Sequence, residues 1–343
     1  MSDALLSTLA EALAELVTVV ETSDDEDLDP DTAVKWLEST AYTLGRLGAA
    51  DRRTLDGLFR EAALRQPEGP WRDELLKVSE GFGLTEGPAG VAHAAACEAA
   101  LETARRFAAT VRAADPATPV PTCPGWTLAD LTRHLGTVHH WAGHLVRTRA
   151  TVRVLARDVP LDLPADPAAY PDWLAAGAER FAATAREADP DAPVWSPGAD
   201  PHVRHYPRHV LFETLVHLAD AELAVAGTAG PLDPGTAADA IDHFLGNAPY
   251  IPWIAEPLAH LDRDGAVLRL AARDTGAVWT LALGGGGFTW TRGTDGGEPT
   301  AGVAADTGEL LLLLHRRYAA DDPRFTHTGD RDLLDDWLAA TAL

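Results

Sequence analysis

Glu213 and His217 stand four residues apart in PRHVLFETLVHLADAE, residues 207–222, and His134 lies in CPGWTLADLTRHLGTVHHWAGHLVR, residues 123–147. Residues i and i+4 of a helix are neighbours on one face, so this pair presents a carboxylate and an imidazole side by side. An imidazole from a second helix would add a third point. Three such ligands with one open position describe a catalytic zinc site, in which the free corner takes water or substrate. Taken alone, Glu213 and His217 also fit a surface hydrogen-bonded pair worth a few tenths of a kcal/mol. The inward placing of His134 favours a metal.

That placing comes from helical periodicity, because the same segment carries His139, His140 and His144. At about 100° per residue, Leu131, Leu135, Val138, Ala142 and Leu145 fall on one stripe, with His134 at its edge. His140 and His144 project away from the stripe, and His139 lies between the two faces, a candidate to support a ligand. In the second segment Phe212, Leu215, Val216, Ala219 and Leu223 form the apolar stripe. His209, Glu213, His217 and Asp220 line one of its flanks. Cys123, just before Pro124 and Gly125, reads as a small buried residue in a turn, with a nucleophile or fourth ligand as the alternatives.

The elements that would position these residues are mostly helical. Residues 1–88 read as a helical module, with Leu5, Leu9, Leu13, Leu16 and Val20 at helical spacing and further helices from Asp31, over 51–63 and over 70–78. The acidic run 23–29 reads as a solvated loop, and Gly81, Gly83, Gly87 and Pro88 as a linker. Residues 89–228 hold four amphipathic stretches, 91–114, 127–148, 172–188 and 207–226, which argue for a four-helix bundle. Thr127 with Asp130 resembles a capping box, and the long Pro-rich connections make a crossed topology as reasonable as up-and-down. Residues 229–343 alternate differently: a helix over 234–244, strands over 266–272, 278–283, 287–291 and 300–305, then helices over 307–318 and 331–340 around 325–327. The fold class is therefore mainly α with an α+β C-terminal domain.

Composition narrows the function. The 343 residues are 46% hydrophobic and carry a formal net charge of -24, which disfavours nucleic acid and anionic membrane as partners. No apolar run reaches the roughly 20 residues of a membrane helix and no signal core follows Met1, so a cytoplasmic location is expected. Two cysteines, Cys97 and Cys123, build no disulfide framework.

At VPTCPGWTLADLTRHLGTVHHWAG (120–143), APVW (192–195), FETLVHLADAE (212–222), ARDTGAVW (272–279) and DTGELLLLLHRR (306–317), the chain resembles the mycothiol-dependent maleylpyruvate isomerase family. That family falls within the DinB-like metal-binding four-helix bundles, and its C-terminal domain is similar to sterol carrier protein folds. The resemblance covers about residues 90–343 and leaves the N-terminal module outside it. It implies a divalent metal, usually zinc, on His134, Glu213 and His217, and mycothiol or a similar low-molecular-weight thiol whose sulfur reaches the open position. It also implies a small electrophilic substrate, with Arg208, Arg316 and Arg317 as candidates to hold anionic groups of substrate or cofactor and Asp220 to orient a ligand. Many members carry Arg-Trp after the second metal histidine. Leu218 and Ala219 stand there in this chain, which points to a different substrate or weaker thiol binding.

Three functions are consistent with these residues. The first is a metal-dependent, thiol-using isomerase or S-transferase. The second is a zinc hydrolase in which Asp220 acts as base. The third is a non-catalytic metal-binding or regulatory protein, for which the N-terminal module offers a surface to a protein partner.

Overall fold

The structure, a computed structural model, describes residues 3–23, 28–44, 49–82, 93–294 and 297–342. Most of the acidic run, 24–27, and the linker from 83 to 88 lie outside the described residues. The chain divides into two compact units, Met1–Gly90 and Val91–Leu343.

The first unit is built from α1 (Asp3–Thr22), α2 (Pro30–Leu44), α3 (Ala49–Arg65) and α4 (Pro70–Gly81). Its core is Ala10, Ala14 and Val17 of α1 against Phe59, Ala63, Leu75 and Val78. The leucine stripe that marks α1 in the sequence is not its buried face: Leu5, Leu9 and Leu16 are 48%, 54% and 62% exposed. Small side chains let helices approach closely, so the alanine face takes the interior.

In the second unit α5 (His93–Arg112), α6 (Leu128–Thr148), α7 (Tyr170–Glu187) and α8 (His205–Ala226) form the bundle. Around its perimeter α5 neighbours α7 and α8, and α6 neighbours the same two, so the sequence-adjacent pairs α5/α6 and α7/α8 sit on the diagonals. The topology is therefore crossed. Leu131, Leu135, Ala142 and Leu145 of α6 are fully buried, each leucine contributing about 1.5–3 kcal/mol on leaving water. The α6 start is the expected capping box, with Thr127 accepting from the Asp130 backbone and the Asp130 side chain accepting from Thr127. On α6, Gly136 admits the Trp173 ring of α7: a Cβ there would stand 2.1 Å from the indole.

After α9 (Pro234–Asn247) and α10 (Pro252–Ala259) come β1 (Val267–Ala272), β2 (Val278–Gly284), β3 (Gly287–Arg292), β4 (Ala301–Ala305), α11 (Thr307–Leu314), β5 (Thr326–Gly329) and α12 (Arg331–Ala340). The sheet order is β3-β2-β1-β4-β5, with β1 and β4 parallel and the other pairs antiparallel. One hydrophobic core runs from the bundle (Leu145, Phe181, Leu211, Leu215) through α9 into the sheet and α11 (Leu270, Trp279, Leu310). Among the described residues no helix is long and apolar enough to cross a membrane.

The last helix turn before β5 differs from expectation. A helix over 307–318 is predicted, but α11 ends at Leu314. Arg316 takes a left-handed conformation at φ 60, its N–H donates to the Leu313 carbonyl, and Arg317 N–H donates to Leu312. This is a Schellman termination with arginine where glycine is usual. It reverses the chain and directs Arg317 back into the bundle.

Candidate functional site

α6 and α8 face each other across His134 and Glu213. The His134 Nε2 and the Glu213 Oε1 are 3.0 Å apart, and His217 Nε2 is 3.4 Å from the same oxygen. One ligand atom from each of the three residues lies within 4.8 Å of the other two. Burial alone would raise the Glu213 pKa, but hydrogen bonds from His134 and His217 hold it well below the usual carboxylate range. An ionised carboxylate only accepts, so both ring nitrogens donate to it.

Behind His217 sits a second carboxylate. Asp220, fully buried, accepts from His217 Nδ1 at 2.8 Å on its Oδ2. The same group accepts from Arg317 Nε at 2.9 Å and Nη2 at 2.8 Å, from Thr122 Oγ1 at 2.5 Å and from Cys123 Sγ at 3.5 Å. Burial would raise the Asp220 pKa, and the bonds from His217 and Arg317 reverse that, holding it far below the usual value. His217 shows the converse: burial would lower it, while Asp220, Cys123 and Glu213 carry it well above the ordinary imidazole value. Thr122 and Cys123 reach Asp220 because residues 118–128 fold into successive turns, with Gly125 at φ 83 and Trp126 N–H donating to the Cys123 carbonyl at 3.0 Å.

Exposure is uneven across the site. The His134 and Glu213 side chains are 36% and 31% exposed, against 10% for His217 and 0% for Asp220. Trp126 adjoins both imidazoles, its ring 5.1 Å from that of His134 and 6.4 Å from that of His217. No sequence signal singles out this tryptophan, since a lone aromatic after a Pro-Gly turn has no periodicity to read. Two imidazoles and a carboxylate at these separations, with Nδ1 of one imidazole fixed by a buried carboxylate, could hold a divalent metal.

The three candidate arginines have different surroundings. Arg317, expected to meet anionic ligands, is 9% exposed at its side chain and is engaged by Asp220 and by the His315 carbonyl at 2.7 Å. It holds the site's carboxylate in place. Arg208 pairs with the buried Asp239 of α9 through Nε at 3.2 Å and a closer Nη2 contact, and lies over the Phe212 ring. Arg316 is exposed. Leu218 and Ala219 are both fully buried.

Two of the remaining α6 histidines pack against α7 and α8. His140, expected to face outward, is half-buried against α7, stacked on Trp173 at 4.8 Å between ring centroids. His139 is fully buried, with Nε2 3.0 Å from Thr214 Oγ1. Thr214 donates to the Val210 carbonyl, so it accepts from His139, which leaves His139 Nδ1 as a bare acceptor. Burial lowers the His139 pKa to about 3.

A second group of histidines joins α8 to α9. His205, His209 and His243 each bring one ring nitrogen within 4.8 Å of the other two. A cleft of about 190 Å³ near α10 and the β2–β3 turn, lined by Leu258, His260, Arg263 and Gly286, shares no residue with either cluster.

Residues 97–222 match the family model of the mycothiol maleylpyruvate isomerase N-terminal domain. No curated protein matches the chain. Among solved structures, a UbiJ-SCP2 ubiquinone synthesis protein is similar at 19% identity and TM-score 0.23, over 33% of this chain and 93% of that one. The stereoselective inverting sec-alkylsulfatase Pisa1 from Pseudomonas sp. is similar at 13% identity and TM-score 0.25, over 90% of this chain and 43% of that one. His134, Glu213, His217 and Asp220 all lie inside the residues that match the mycothiol maleylpyruvate isomerase N-terminal domain.

Proposed function

We propose that this protein is a divalent-metal-dependent enzyme that uses a low-molecular-weight thiol, mycothiol by the family's name, for isomerisation or S-transfer on a small electrophile. The observation that carries the proposal is the Glu213 carboxylate held between the Nε2 atoms of His134 and His217, with Asp220 behind His217. Zinc suits this donor set, because ligand atoms on a tetrahedral ion with bonds of about 2.0–2.1 Å lie about 3.3–3.4 Å apart. Bound there, the metal would favour thiolate over thiol and so supply a sulfur nucleophile at neutral pH.

The chain's own residues do the rest. His134, Glu213 and His217 would exchange their mutual hydrogen bonds for the cation, and Asp220 would keep the His217 ring oriented and electron-rich. Trp126 forms an apolar wall on the exposed side, where an activated alkene could lie against the indole. Addition of the thiolate to such an alkene turns a double bond into a rotatable single bond. Expulsion of the thiolate from the resulting carbanion then gives the isomer, and protonation of that carbanion by water gives the thiol adduct.

Metal analysis tests this directly. The purified full chain is expected to carry one equivalent of divalent metal at this site, lost in His134→Ala and in Glu213→Ala, and mycothiol is expected to bind the metal-loaded protein. A chain without stoichiometric metal at this site, or one whose metal-loaded form neither binds mycothiol nor turns over with it, would overturn the assignment.

A further inference from the structure

The flank of α8 carries ligand-type residues at four successive i, i+4 positions: His205, His209, Glu213 and His217. The upper two have their own partner, His243 of α9, which is absent from the site described above. His243 Nε2 and His209 Nδ1 are 3.4 Å apart, the edge expected for two imidazoles on one tetrahedral ion. The His205 ring lies 5.2 Å from that of His209 and 5.3 Å from that of His243, so the three rings converge. His205 is 5% exposed, and its buried Nε2 has no hydrogen-bond partner among the described residues. An orphaned buried polar atom of this kind calls for a ligand or ordered water.

We propose that His205, His209 and His243 form a second metal site, taking a zinc-class divalent cation on three imidazoles with one position left open.

The surroundings fit such a cation. Burial lowers all three imidazole pKa values, so the rings are neutral and carry lone pairs at neutral pH. Arg208, the cation beside the cluster, is neutralised by its pairing with the buried Asp239. Glu213 supplies a negative charge one turn along α8, and the Phe212 and His243 rings pack at a steep angle with centroids 5.2 Å apart. The loop before α8 is pressed onto the cluster: a Cβ on Gly198 would stand 3.0 Å from His205 Cε1 and 1.8 Å from Asn247 Oδ1. Asn247 in turn donates to the His243 carbonyl at 2.6 Å. The centres of the two ligand pairs on α8 are eight residues, or about 12 Å, apart along the helix. That excludes a bridged pair of metals, which needs about 3.5–4 Å. The two sites are mononuclear and separable.

The full chain, stripped with chelator and titrated with Zn2+ alone, is expected to take two equivalents. His209→Gln and His243→Gln should each leave one equivalent, retained on the His134 site. His134→Ala should likewise leave one, retained on the histidine trio. If the wild type stops at one equivalent that His243→Gln keeps and His134→Ala loses, the second site does not exist while the proposed function stands. If the single equivalent is lost in His243→Gln and kept in His134→Ala, the second site stands and the proposed function fails. Should a variant not fold, Zn2+ is added to the wild type and the histidine ring resonances are followed by NMR. Shifts of His205, His209 and His243 support the site; unmoved resonances reduce the trio to a neutral, hydrogen-bonded stack and overturn it.

Discussion

Asp220 gathers donors from three separate stretches of chain: His217 on its own helix, Thr122 and Cys123 from the turn before α6, and Arg317 from the turn after α11. Such a carboxylate raises the basicity of the imidazole it contacts. Asp220→Asn should therefore weaken metal binding at the His134 site about 10–100-fold, measured by competition against a chromophoric chelator. Arg317→Met removes one of the two cationic groups bonded to the buried Asp220 and should destabilise the protein by up to about 3–5 kcal/mol, read from urea denaturation. Arg317→Met combined with Asp220→Leu should recover part of that loss. Glu213 and His217 were legible because one helix sets their spacing, and His134 because periodicity ranks histidines on a single face. The role of Arg317 was not legible. A left-handed helix end is usually signalled by glycine, and Arg316 occupies it here, so the sequence reads as a helix running on to Tyr318.

At the scale of elements, the bundle is set by close approaches between particular pairs of helices. Gly136 on α6 and Trp173 on α7 are one such pair, and the Trp173 indole also donates to the Leu161 carbonyl at 2.7 Å, which limits its freedom to move aside. Gly136→Ala is expected to cost about 1–3 kcal/mol through overpacking, despite alanine's better helix propensity; thermal denaturation measures it. Helix positions in the bundle were legible from apolar periodicity, and the crossed order is consistent with the long connections that left it open. The buried face of α1 was not legible, because alanines pack at the interface while the bulkier leucines of the same helix stay exposed. α10 was also missed, since its eight residues include Pro252 and Pro257 and give no helical pattern to read.

Across the whole molecule, several imidazoles are kept neutral by burial, including His139 at about 3 and His315 at about 4. The sign of the pH dependence follows. The unfolded chain takes up protons on these groups near pH 6.5, whereas the folded chain takes them up only near 3 to 4, so stability falls as the pH drops from 6.5 towards 4. For His139 alone the loss between pH 7 and 5 is about 2 kcal/mol at most. Urea midpoints at pH 7, 6 and 5 should decline steadily, and His139→Leu should flatten the decline. Below pH 4 the depressed Asp220 adds a loss of its own: its stabilisation is present above the unfolded carboxylate value and disappears as the pH falls through the folded one.

The contact between Arg317 and Asp220 has a consequence for how such proteins can diversify. The family-matched stretch, 97–222, ends with a buried anion whose counter-charge comes from almost a hundred residues further along the chain. The bundle is thus not a freely transferable cassette. A recombination that joined it to an unrelated C-terminal region would have to bring a cation to the same depth or mutate Asp220 in the same step. Inheritance of the candidate metal site and inheritance of the α11 turn are thereby linked, although almost a hundred residues separate Asp220 from Arg317.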